Sequence, residues 1–166
     1  MTYRSSLIDE VGVRAQYYQE KYGGCGQAVV GAFRSVLGDD VIPEAVFKSA
    51  TGLSGGCAQT GNICGAISGG ILVLSLFSGR DESTWDDMSK KEETYKLGRK
   101  LVSYFIDTYG DINCDEIKNN IVSKHIAEDS IKMSEAGEKE ADCSVITRKA
   151  AMKVMEILKS EGYIRP

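Results

Sequence analysis

Apolar side chains recur along this chain at helical rather than strand spacing. Leu7, Ile8, Val11, Ala15 and Tyr18 fall on one face of a 3.6-residue period that stops at Gly23-Gly24, which predicts a helix over 7–22. Ala28, Val29, Ala32, Phe33, Val36 and Leu37 form the next stripe, predicting a helix from Cys25 to Leu37 closed by Gly38. Pro43 suits the first turn of a short helix ending near Ala50. The glycine-rich stretch 52–62 reads as a loop with positive-φ residues, and it feeds an apolar helix starting near Cys64. That helix carries Gly65, Ser68 and Gly69, small enough for another backbone to approach, which places it at the centre of a bundle.

Residues 79–91 lose the period and read as a polar connection around Trp85. Tyr95, Leu97, Leu101, Val102, Phe105, Ile106 and Tyr109 restore it up to Gly110. A short helix is expected over 114–124 with Ile117, Ile121 and Val122 inward, then a mobile polar loop over 125–142 with at most one helical turn. The last helix, 143–160, turns Val145, Ile146, Ala150, Val154, Ile157 and Leu158 to the core. No β-branched alternation with a two-residue turn occurs, so the expected fold class is all-α, a bundle of about six or seven helices.

A chain of 166 residues is expected to form one domain, 1–166, large enough to bury roughly 70% of its unfolded surface without staples. Its net charge of −4, with both signs mixed along the chain, gives no footprint for nucleic acid or an anionic membrane surface. Asp9 and Glu10 interrupt any secretory-type apolar run, and the apolar stretch 63–77 is short of the roughly 20 residues of a membrane span. A cytoplasmic location is therefore expected, where five cysteines stay free, metal-bound or redox-active rather than forming a permanent framework.

Four of the five, Cys25, Cys64, Cys114 and Cys143, stand at expected helix starts, with Asn62, Asn113 and Asp142 nearby as candidate N-caps. There, unpaired N–H groups and the positive end of the macrodipole favour thiolate, the form that binds metal or attacks a disulfide. Four thiolates also make a complete ligand set for zinc or an iron–sulfur cluster. The separations of 39, 50 and 29 residues contain no C-x-x-C pair, so spacing alone leaves a plainer alternative open, that each is a small buried hydrophobe.

Taken together, Cys25-Gly26-Gln27-Ala28-Val29, Cys64-Gly65-Ala66-Ile67-Ser68-Gly69, Cys114 and Cys143 resemble a known family of redox-active proteins, the C_GCAxxG_C_C family, across about residues 20–160. Similar sequence forms the iron–sulfur part of split-Soret cytochromes. The resemblance implies a helical fold that gathers these four cysteines, around a two-iron, two-sulfide cluster (2Fe-2S). No C-x-x-C-H haem attachment motif is present, so no haem is expected.

The function this resemblance implies is electron transfer or redox sensing, as an oxidoreductase component working with an electron-transfer protein partner. Two alternatives stand beside it: a metal-free thiol–disulfide oxidoreductase or sensor, and a module holding structural zinc. Cys57, seven residues before Cys64, reads as an accessory or resolving thiol or an incidental loop cysteine. His125 reads as a solvated side chain, and the 52–61 loop, which lacks a P-loop Lys-Ser/Thr, as a close backbone approach to a cluster. Asp81, Glu82, Asp86 and Asp87 read as a solvated acidic connection, and Tyr17, Tyr18, Tyr22, Tyr104 and Tyr109 as core or rim packing. The small residues of the central helix would permit a helix-packed homodimer.

Overall fold

Seven α-helices account for most of the chain in a computed structural model that describes residues 6–129 and 143–165, with backbone alone over 122–129. The first, α1 (Leu7–Tyr22), begins at a reciprocal cap in which Ser6 and Asp9 satisfy each other's backbone N–H groups. It packs along α7 (Cys143–Ser160), and Val11 and Ala15 are sealed in that contact. Next, α2 (Cys25–Leu37) starts after Gly24, whose φ of 78° is the left-handed entry that lets the chain reverse between α1 and α2 within two residues. Pro43 stands at the N-cap of α3 (Glu44–Ser49), which tightens into a 3-10 turn, Ala50–Leu53.

The apolar helix α4 (Gly65–Ser78) lies against α2, α5 and α7. Because its side chains are apolar nearly all round, it can be stable only when surrounded, and Ala66, Ile67, Val73 and Leu74 are fully buried. Helix α5 (Met88–Tyr109) starts earlier than the apolar period suggests. Asp87 sets the boundary by accepting from the Ser89 and Lys90 N–H groups. Asp81 caps a 3-10 turn (Glu82–Thr84) in the same way, so part of the acidic connection is capping structure rather than loose charge. Leu97, Leu101, Phe105 and Tyr109 of α5 are buried, whereas Tyr95 and Ile106 face out because the sequence stripe is wider than the buried one.

Helix α6 (Cys114–Asp129) runs five residues past its expected end. Polar residues there break the apolar period, but no Gly or Pro breaks the helix. The remainder of the expected 125–142 loop, and Asp142 as a cap, lie outside the described residues. Cys143 opens α7, whose inward residues are those the period predicts, from Val145 to Leu158. Tyr17 and Tyr22 are exposed, while Tyr109 is buried. Among the described residues no strand forms, and no helix is long and apolar enough to cross a membrane. Among the described residues one bridge forms, pairing Ile63 with Asn113, antiparallel.

Candidate functional site

Cys25 and Cys64 meet because α2 and α4 cross almost backbone to backbone. A Cβ on Gly69 would stand 2.4 Å from the Gly26 carbonyl oxygen, and one on Gly65 would stand 2.6 Å from the Cys25 sulfur. Only a hydrogen at these two positions permits the approach, so the small residues of the signature bring two sulfurs to one place.

The Ile63–Asn113 bridge delivers the third. The Cys64 N–H donates to the Ile112 carbonyl at 2.8 Å and the Cys114 N–H donates to the Asn62 carbonyl at 2.7 Å, pinning the two cysteines side by side. Asp111 steadies the approach to α6 by accepting from the Ile112 and Asn113 N–H groups. Cys143 arrives from the first residue of α7, where the Thr147 hydroxyl donates to its carbonyl at 2.6 Å.

All four cysteines line one cavity of about 20 Å³, together with Ala66, Ile117, Lys118, Ile146 and Thr147. The N-terminal ends of α2, α4, α6 and α7 therefore converge there, each carrying about half a positive charge. Four such ends favour an anionic occupant, and four sulfurs suit a thiophilic metal. No disulfide joins the cysteines. Among the described residues, no three His, Cys, Asp or Glu side chains stand as placed in an arrangement that holds an ion.

Electrostatics within the cavity differ from the expectation that a helix start lowers every thiol pKa. Cys64 is the N-cap residue of α4 and only 6% exposed. Burial outweighs everything else and pushes its thiol up to about 12, with the neighbouring Cys25 adding to the rise. The backbone N–H groups of Ala66 and Ile67 face the sulfur and pull the other way, although no side-chain cap bond closes. Lys118, one turn beyond Cys114, is held above the usual ammonium range, first by the charge of Cys114 and then by that of Cys143. Neither Lys118 nor Thr147 stood out in the sequence. Their i+4 spacing from Cys114 and Cys143 is the signal that marks them once those helices are known.

Asn62 caps no helix: its amide donates to the Thr60 hydroxyl. Cys57 is exposed and lies outside the cavity lining. It sits in a left-handed turn in which Gly55, Gly56, Cys57, Ala58 and Gln59 all have positive φ. The Gly61 carbonyl accepts from the Asp115 N–H, so the loop is clamped to the start of α6. His125 falls where side chains are not described. A cleft of about 530 Å³ between α1, α2 and α3, lined by Tyr18, Tyr22, Arg34 and Phe47 among others, contains no cysteine.

A family model described as "Putative redox-active protein (C_GCAxxG_C_C)" matches residues 24–157. Read literally, the label's Gly-Cys-Ala-x-x-Gly string occurs at Gly56–Gly61, around Cys57, whereas Cys64–Gly69 reads Cys-Gly-Ala-x-x-Gly. The geometry distinguishes the two segments, since Cys64 lines the cavity and Cys57 does not. No curated protein and no solved structure matches the chain.

Proposed function

Since the chain belongs to this family of redox-active proteins, we propose that it transfers electrons or senses redox state through an iron–sulfur cluster of the 2Fe-2S type. The ligands in this reading are Cys25, Cys64, Cys114 and Cys143. The observation that carries it is the cavity: four cysteines from the starts of four helices border one space. Such a cluster supplies one-electron chemistry when bound. The chain contributes the sulfurs, the positive helix ends that offset their charge, and the apolar side chains of Ala66, Ile117 and Ile146 in the lining. Metal-free thiol–disulfide exchange fits less well, because a Cys64 thiol at about 12 supplies little attacking thiolate at neutral pH.

Structural zinc is the competing reading, and the size of the cavity favours it. About 20 Å³ is room for roughly one water, so a single ion enters with the least movement of the sulfurs. The test is near-ultraviolet and visible absorbance of anaerobically purified and reconstituted protein, with iron, acid-labile sulfide and zinc measured on the same sample. We expect a brown protein that bleaches with dithionite and contains iron and sulfide in equal amounts. Cys64→Ser should abolish the colour and Cys57→Ser should keep it. A colourless protein that takes up zinc and no iron refutes the cluster.

A further inference from the structure

Among the described residues lining the cysteine cavity, Lys118 is the one that carries a full charge. Ala66, Ile117 and Ile146 are apolar, and the Thr147 hydroxyl is already engaged on the Cys143 carbonyl. Helix geometry fixes where the charge falls: Cys114 and Lys118 are four residues apart on α6, so they share a face one turn apart. Lys118 lines the same cavity as Cys143, which stands at the start of a different helix. The floor of the site is built otherwise. Around Cys64 the groups that favour negative charge are the backbone N–H groups of Ala66 and Ile67. The site therefore combines backbone dipoles at Cys64 with a whole cation one turn from Cys114.

We propose that Lys118 is a positioning residue that raises the reduction potential of the redox group held by the four cysteines. The inference rests on the cluster reading above. One-electron reduction by an external donor forms and breaks no bond in the chain, and it raises the negative charge inside the ring of sulfurs by one. A cation in the cavity lining stabilises the reduced state more than the oxidised state. The same cation is solvent-exposed, so salt weakens its effect.

The experiment is a mediated potentiometric titration, with dithionite, of reconstituted wild type, Lys118→Met and Lys118→Arg, using Lys48→Met on α3 as a control for net charge. Lys118→Met should lose about tenfold in the reduction equilibrium constant, or 59 mV for one electron. Lys118→Arg should restore most of that loss, Lys48→Met should leave the potential in place, and the gap between Met and Lys should narrow in high salt. The thermal midpoints of the metal-free proteins, measured alongside, separate an electrostatic role from a structural one. Coloured proteins whose potentials differ by less than about threefold, ~28 mV, overturn the inference and leave the cluster standing. Proteins that are all colourless and free of iron refute the cluster reading instead.

Discussion

The crossing of α2 over α4 makes a quantitative demand on Gly69. An alanine there would put its Cβ 2.4 Å from the Gly26 oxygen and 2.9 Å from the Gly26 Cα. Both atoms are backbone, so no side chain can swing away. Restoring ordinary contact at 3.4 Å or more requires the helices to part by roughly 1 Å. A gap of that size forfeits about a quarter to a half of the dispersion energy along the contact, and overpacking of this kind costs about 3 kcal/mol. Alanine returns about 1 kcal/mol through its helix propensity, so strain wins and the net loss is about 2 kcal/mol. For a chain of this size that lowers the thermal midpoint by about 4–8 °C. Gly98→Ala in α5 is the internal control. Its Cβ would meet only Ile71 side-chain atoms at 3.8 and 3.9 Å, so propensity acts alone and the variant should gain about 0.5–1 kcal/mol. Urea unfolding of the metal-free proteins, with m-values checked for constancy, reads both. A Gly69→Ala protein within about 0.5 kcal/mol of wild type, or alanines that shift stability in the same direction, refutes the reasoning.

The raised Cys64 thiol makes metal-free stability depend on alkaline pH. The folded protein holds that proton more tightly than the unfolded chain does, so the contribution is fully present below the ordinary thiol value of 9.0 and is lost as pH rises toward about 12. The urea midpoint should fall across that window, and Cys64→Ala should flatten the fall; an equal decline in both proteins removes Cys64 as its cause. Alkylation at neutral pH should mark exposed Cys57 first and Cys64 last, as peptide mass mapping would register. Cys64 labelling within about tenfold of the Cys57 rate contradicts the buried, protonated thiol.

Much of this was legible in the sequence because helices α1, α2 and α7 are amphipathic and punctuated by glycine. Residues such as Val11, Phe33 and Val154 fall on the predicted stripes and are fully buried. Boundaries failed where periodicity is a poor guide. Asp87, a cap, decides where α5 begins, and α6 continues through polar residues that carry no apolar rhythm. The positions of Cys25, Cys64, Cys114 and Cys143 at helix starts could be read from the same punctuation.

What the sequence determined by itself is local: the helices, their buried faces and the four cysteines at their ends, because propensity, capping and period act over a few residues. Tertiary structure decided the rest. Convergence of the four sulfurs depends on the Gly26–Gly69 crossing and on the Ile63–Asn113 bridge, contacts between segments more than forty residues apart. Burial then reversed the thiol preference that the helix start alone would give Cys64, since desolvation depends on what packs around a group and not on its neighbours in the chain. Lys118 acquired a place in the cavity lining for the same reason, because Cys114 and Cys143 reach one cavity only through the tertiary fold.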